Sequence, residues 1–406
     1  MKILHLLYES EGDYFGIGGV GIRAYEIYSR LKERHDITLL CKRYPGARDR
    51  EILGLRHIFA GTESKSLTIA LLSYAWHAAR FVRKYGESFD IIVEEFSPAI
   101  PTFLNFYKKT PVILQIQGYT GEKYFMKYNI AYATFLYAFE RLMPNYYNII
   151  ISVSQKTSKK LSLKGFSTFI PNRDHSLQPA KDEFADLISN SKKSKKIIAI
   201  ISNGIPSELL SIKTEESDYI LYIGRIDIYG KGLEILLKGF SEFHKIFPHI
   251  RLLVAGDGRD MRKFKGMLMN MPLHIRNKVE LVGWVSGSEK IEIISRALFC
   301  VFPSRHEVHS IALLECLACG KPVMVSDISE FSFIADIKAG STFKTEDPSS
   351  LALSMKELMI SSEREKMGRN GRDYVRDFTW EKIALIYEEF LLKYWQLRLP
   401  LRLQPL

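Results

Sequence analysis

Two carboxylates eight positions apart, Glu307 and Glu315, and two cations six apart, Arg225 and Lys231, are the residues of this 406-residue chain best suited to chemistry. The carboxylates fall in Phe302-Pro303-Ser304-Arg305-His306-Glu307-Val308-His309-Ser310-Ile311-Ala312-Leu313-Leu314-Glu315-Cys316-Leu317-Ala318-Cys319-Gly320-Lys321-Pro322-Val323. This stretch reads as strand, loop, helix and next strand. Leu298 to Phe302 is apolar and stops at Pro303, Ser310 suits an N-cap, and Gly320 with Pro322 stops the helix. Glu315 shares a helix face with Ile311 and Ala318. A carboxylate left unpaired among such neighbours costs roughly several kcal/mol, so it calls for donors, and sugar hydroxyls are suitable ones. Glu307 stands beside the helix N-terminus, whose free N–H groups and positive dipole end favour a phosphate. One loop and one helix could therefore grip a sugar, a phosphate and a ribose.

The cations sit at the end of another strand. Tyr219 to Ile223 is apolar, Gly224-Arg225-Ile226-Asp227 turns, and Lys231-Gly232 leads into a helix running to about Phe247. A planar guanidinium fork and a mobile ammonium suit a diphosphate, although a structural salt bridge would also use them. Val279 to Val282 is a further strand, followed by Gly283, Trp284 and a helix capped by Ser286 or Ser288. Trp284 fits core packing and a ligand contact equally well.

The elements that must position these groups alternate along the chain. Ile3–Leu7, Ile37–Cys41, Asp90–Glu94, Val112–Ile116, Asn148–Val153 and Ile197–Ile201 read as strands, most followed by amphipathic stretches. This predicts βαβ units and parallel sheets. Phe15-Gly16-Ile17-Gly18-Gly19-Val20-Gly21 precedes a helix expected from about Ile22 to Lys32. Its glycines would let N–H groups approach an anion, though an ordinary tight turn has the same pattern. Gln117 and Tyr119 follow the strand ending at Ile116, where α/β proteins bind ligands. Tyr124 to Tyr147 is rich in Tyr, Phe and Met. It reads as a core or interdomain helix, or as an acceptor wall or membrane-leaning surface. Residues 172–196 are polar and Lys-rich, and a linker is expected over roughly 205–217.

Hydrophobic residues make up 46% and charged residues 25%, as in soluble globular enzymes. No apolar run reaches spanning length; the longest candidate, Phe125 to Met143, is broken by Lys127, Glu140 and Arg141. Four cysteines do not make a disulfide framework, so a cytoplasmic setting is the default. Cys316 and Cys319 lack the second ligand pair that zinc would need. The net charge is +11, with 29 basic and 19 acidic residues in the first 200. That bias could draw an anionic acceptor or the anionic inner face of a membrane, and charge alone does not separate these from nucleic acid.

Pro-Ser-x-x-Glu, seven residues, then Glu-Cys-Leu-Ala-Cys-Gly-Lys-Pro-Val resembles the donor-site signature of the retaining GT4 glycosyltransferases. The Gly-Arg…Lys-Gly turn and the Gly18-Gly19 loop are similar to the family's pattern. The resemblance runs over about residues 1–395, most strongly over 219–325. It implies an α/β chain of GT-B architecture, with two Rossmann-like domains facing a cleft. The first covers residues 1–205, the second 206–376, and a helix in 377–406 crosses back to the first.

The implied function is transfer of a sugar from a nucleotide diphosphate donor to an acceptor hydroxyl, with retention. The implied setting is polysaccharide, glycolipid or glycoconjugate synthesis. Arg225 and Lys231 would neutralise the departing diphosphate, and Glu307 with the N–H groups of Ser310 and Ile311 would hold the sugar. Glu315 would take the ribose, Gly283 and Trp284 the base, Gly18 and Gly19 the donor, and Gln117 and Tyr119 the acceptor side. No tightly bound cofactor, no metal and no nucleic acid are implied; the acceptor could be anionic or lipid-linked. Two departures stand out: Gln117 where many members have His, and His309-Ser310 where Phe-Gly is common. His309 could contact donor phosphate or sugar. A catalytically silent nucleotide-sugar-binding subunit is the alternative.

Overall fold

The computed structural model describes residues 1–12, 16–160, 165–170 and 196–402, the side chains of Lys127 and of residues 397–402 excepted. Phe15 and almost all of the Lys-rich 172–196 stretch lie outside the described residues. The chain divides into two compact units, Met1–Asn203 with Trp380–Leu406, and Gly204–Thr379.

The first unit is built on a sheet in the order β3-β4-β2-β1-β5-β6-β7-β9-β8 among the described residues. Its strands are β1 Lys2–Leu7, β2 Asp36–Lys42, β3 Arg50–Ile52, β4 Leu55–Ala60, β5 Ile91–Glu95, β6 Val112–Ile116, β7 Ile149–Ser152, β8 Phe166–Phe169 and β9 Lys196–Ile200. Every pairing is parallel except β3 with β4. The central strands are buried throughout because helices cover both faces, which is why they read as unbroken apolar runs. Helix α1 spans Gly19–Leu31, α2 spans Leu67–Tyr85 and α3 spans Ile130–Leu142. Helix α1 begins three residues earlier than the sequence suggested, because Gly18 and Gly19 form its cap and first residue instead of a preceding loop. In α3 only Ala133, Leu136 and Glu140 are buried, so this aromatic segment is mainly surface, not core.

In the second unit the sheet order is β12-β11-β10-β13-β14-β15, all parallel. These are β10 Tyr219–Ile223, β11 Arg251–Ala255, β12 Val279–Gly283, β13 Cys300–Phe302, β14 Val323–Ser326 and β15 Gly340–Phe343. The helices that matter for the site are α4 Ile228–Lys231, α5 Leu233–His244, α6 Gly287–Arg296 and α7 Ile311–Ala318. Residues expected to be a free linker are part of this unit. Ile205 is buried, its N–H donates to Phe378 O at 2.8 Å, and Leu209 joins the same apolar cluster.

The last helix, α8 Trp380–Arg402, packs on α1 within the first unit. Tyr28 Oη and Tyr387 Oη are 3.2 Å apart, Arg30 pairs with Glu381 at 2.7 Å and His35 with Glu388 at 2.6 Å. The units therefore exchange chain at 203/204 and 379/380, against the expected 205 and 376. Arg23 of α1 is fully buried and holds the first crossing, donating to Ile201 O at 2.9 Å, Ser202 O at 2.5 Å and Asn203 Oδ1 at 3.1 Å.

Strand β5 carries two carboxylates into this dry interior. Glu94 accepts from Thr102 Oγ1, and from Tyr147 Oη at 2.8 Å, yet burial pushes its carboxyl from 4.5 up to about 7. The native state thus keeps a proton that the unfolded chain releases, so stability is lost as pH rises between about 4.5 and 7 and is flat above. In Glu94→Gln this slope disappears. The drop in urea midpoint from about pH 5 to about pH 8 should be smaller in the variant than in the parent chain.

Candidate active site

In the second unit the site grows out of turns at the carboxyl ends of the strands. Gly224 closes β10, and its turn is zipped to the one after β11. Gly224 N–H donates to Ala255 O at 3.0 Å and Ile226 N–H to Asp257 O at 2.9 Å. A Cβ on Gly256 would lie 1.9 Å from Gly224 O, so this approach requires glycine there. Tyr222 Oη adds a bond to Arg225 O at 2.8 Å. The Arg225 backbone is thereby fixed while its side chain is exposed, and the guanidinium makes no hydrogen bond or ion pair among the described residues.

Asp227 caps α4 by accepting from Gly230 N–H at 3.0 Å, which places Lys231 at the helix end. Gly232 follows with φ of +62°, and a Cβ there would stand 2.0 Å from Pro303 O. Arg305 ties the two loops together. Its N–H donates to Gly230 O at 3.1 Å and its Nη1 to Tyr229 O at 2.8 Å, and its guanidinium lies over the Tyr229 ring. It also pairs with Glu234 of α5, and with Glu346 at 2.9 Å. Burial works against the charge on Arg305, and these two carboxylates outweigh it, so its pKa is raised.

The result is a direct ion pair between Lys231 and Glu307. Ser304 Oγ, fully buried, donates to the same Glu307 oxygen at 3.1 Å, which leaves Oε2 without a partner among the described residues. Ser310 caps α7, its Oγ accepting from Leu313 N–H at 3.3 Å. The N–H groups of Ser310 and Ile311 meet no acceptor among the described residues. His309 is half-buried with its ring against Phe378, 6.2 Å between centroids. Glu315, 5% exposed, is paired with Lys290 of α6 at 2.6 Å. The four charged residues singled out by sequence thus appear as two pairs and one open guanidinium. Lys290, a helix away, carried no sequence signal.

Gly283 has φ of +85° and closes β12, its carbonyl accepting from Gly256 N–H at 2.6 Å. Trp284 is 59% exposed, which rules out the core-packing alternative. Ser286 occupies the N-cap position of α6. Cys316 and Cys319 are core residues, and burial pushes the Cys319 thiol up to about 12.

In the first unit, the turn after β1 is already occupied by a carboxylate. Glu9 Oε2 accepts from Gly18 N–H and Gly21 N–H, both at 2.8 Å, leaving Gly19 and Val20 as the open amides among the described residues. Of the two glycines expected at the donor, Gly18 thus has its N–H engaged by Glu9 while that of Gly19 stays open among the described residues. Beyond β6, Gln117 Nε2 donates to Glu95 Oε1 at 2.8 Å, and the same oxygen accepts from Gln115 and lies 3.4 Å from His5 Nε2. Tyr119 Oη accepts from Arg141 at 2.9 Å. Glu9 and Glu95 were missed because neither sits in a local pattern.

Known proteins resemble the chain on both halves. The family described as "Glycosyl transferases group 1" matches residues 211–374, and "Glycosyltransferase Family 4" matches residues 17–172. An uncharacterized glycosyltransferase of Methanocaldococcus jannaschii is 28% identical over 198 residues, 47% of this chain and 53% of its own length. A phosphatidyl-myo-inositol mannosyltransferase of Mycobacterium leprae is 27% identical over 193 residues, 45% of this chain and 50% of its own. The matched region spans about half the length of these curated relatives. Among solved structures, sucrose-phosphate synthase from Thermosynechococcus elongatus superposes with a TM-score of 0.69 at 18% identity, covering 97% of this chain and 99% of that one. Anabaena HepE, solved with UDP-glucose, gives 0.67 at 15%, covering 97% and 100%. The structures establish the GT-B fold, and with both family matches the chain belongs to the family 4 glycosyltransferases.

Proposed function

We propose that the chain transfers a sugar from a nucleotide diphosphate donor to an acceptor hydroxyl with retention of configuration. The observation that carries the reading is the Lys231–Glu307 pair beside the open amides of Ser310 and Ile311 and the fixed turn of Arg225. Two cations and two free N–H groups suit a diphosphate, and the unpartnered Oε2 of Glu307 suits a sugar hydroxyl. Glu315 is the ribose acceptor in this reading, with Lys290 holding it ordered until hydroxyls arrive. Trp284, largely exposed at the end of β12, offers a face to the base.

The chemistry balances without a protein base. The bond between the anomeric carbon and the diphosphate oxygen breaks, and its electron pair leaves with the diphosphate. The acceptor oxygen bonds to the same face of that carbon, and its proton passes to the departing phosphate. Arg225 and Lys231 lower the barrier by meeting charge that develops only as the bond breaks. HepE was solved with UDP-glucose and the mycobacterial relative is named for a lipid acceptor, which supports a nucleotide-sugar donor and allows a lipid-linked acceptor here. The basic first half is consistent with peripheral contact at an anionic membrane surface, and no helix among the described residues is long and apolar enough to cross a membrane.

A panel of nucleotide-sugars screened by thermal shift tests the reading. The productive donor should raise Tm, Glu315→Ala should reduce that rise, and an unchanged rise for every donor would remove Glu315 from the site. Turnover with the identified donor should fall about 10²–10³-fold in Arg225→Ala, with KM for the acceptor little changed. A preparation that binds donor yet neither transfers nor hydrolyses it would favour the silent-subunit alternative. Arg305 acts only by holding the two loops together. Arg305→Ala should therefore raise the donor KM and lower kcat, whereas Arg305→Lys should restore neither fully because it lacks the fork.

A further inference from the structure

Apart from the donor residues, the first unit contains a cavity of about 280 Å³ lined by Arg83 of α2 and by Phe103, Phe106, Tyr107, Lys108 and Lys109. Its chemistry is mixed in a specific way. Arg83 makes no hydrogen bond or ion pair among the described residues. Lys108 Nζ donates to Asn105 O at 2.6 Å and Lys109 pairs with Glu87 at the surface. Neither α2 nor residues 96–109 contain an Asp or Glu, and Glu87, just past the end of α2, is the carboxylate that meets Lys109. Between the cations stand two rings that water should penalise: Phe103 is 43% and Phe106 71% exposed. Phe103 also has φ of +55°, a left-handed conformation uncommon for a bulky residue.

The rings do not stop at the cavity. Phe106 lies 6.5 Å from Phe103, Phe103 lies 5.8 Å from Phe139, and Phe139 stacks on Phe96 at 6.1 Å. Phe96 follows Glu95, the carboxylate that holds Gln117. An aromatic series thus leads from a cationic cavity toward the acceptor-side end of β6.

We propose that this cavity binds the phosphate of an anionic amphiphile, its apolar chain lying along Phe106, Phe103 and Phe139. The cations supply charge-assisted hydrogen bonds to the phosphate, and the rings bury the chain. A simple anion would leave the rings wet, and a neutral apolar ligand would leave Arg83 without a partner. A ligand so held would extend toward Gln117 and serve the acceptor side, and in that respect the proposal rests on the transfer reading. Binding itself does not, so the test measures binding alone.

Isothermal titration calorimetry of the full chain decides it, with decyl phosphate below its micelle concentration, decyl glucoside and inorganic phosphate as probes. Decyl phosphate should bind at least about tenfold more tightly than either of the others. Arg83→Gln combined with Lys108→Gln should erase the preference for decyl phosphate over decyl glucoside, and Phe106→Ser should weaken both amphiphiles. These side chains are exposed, so the variants should melt like the parent chain. Inorganic phosphate binding as tightly as decyl phosphate would make this a free-anion site instead. Absence of decyl phosphate binding, equal affinity for both amphiphiles, or binding unchanged by either variant would overturn the proposal.

Discussion

The contact on which the charged cluster of the second unit depends is a backbone approach. Gly232 lies so close to Pro303 that a Cβ would stand 2.0 Å from the Pro303 carbonyl oxygen. That proximity lets the end of α4 meet the loop after β13, and so lets Lys231 reach Glu307 across 76 residues of sequence. Everything nearby reinforces it. Arg305 bonds to the backbone at Tyr229 and Gly230 on one side and to Glu234 and Glu346 on the other, and Ser326 Oγ holds Ser304 O at 2.5 Å. A cation and a carboxylate held in this way need little reorganisation to receive a charged ligand, which is the condition for electrostatic catalysis.

Both units follow one rule. Arg225 follows β10, Gly283 ends β12, Glu307 follows β13, Gly18 follows β1, Glu95 ends β5 and Gln117 follows β6. All lie at carboxyl ends of parallel strands, where the chain must turn and where side chains leave the sheet's hydrophobic layers. The first unit fills that end with carboxylates in a different sense from the second. Glu9 caps the glycine turn of α1 and Glu95 orients Gln117, so both act on protein groups. Glu307 and Glu315 are paired with lysines instead, and a lysine can be displaced toward a phosphate in a way that a backbone N–H cannot.

The sequence made the architecture readable because strands buried on both faces leave apolar runs bounded by turn residues. Val112–Ile116 was placed to the residue. The short pair β3 and β4 was missed: Arg50 and Glu51 are exposed, and only alternate residues of β4 are buried. The site was legible where turn residues, charges and a helix stop fall within one window, as in Gly224 to Gly232 and Pro303 to Pro322. It was not legible where function depends on a partner brought in by topology. Lys290 meets Glu315 only because α6 lies beside α7, and Glu95 meets Gln117 only because β5 pairs with β6. The start of α1 was misplaced because glycine has poor helix propensity, yet this helix begins with glycines that Glu9 caps.

The central idea is that Lys231, anchored by Glu307, supplies charge to a diphosphate and nothing to the nucleoside. Calorimetric dissociation constants for a nucleoside diphosphate and its bare nucleoside, in the parent chain and in Lys231→Gln, test this most directly. The account predicts that the substitution weakens the diphosphate by about tenfold or more and leaves the nucleoside unchanged. Equal affinity of parent and variant for the diphosphate would contradict it.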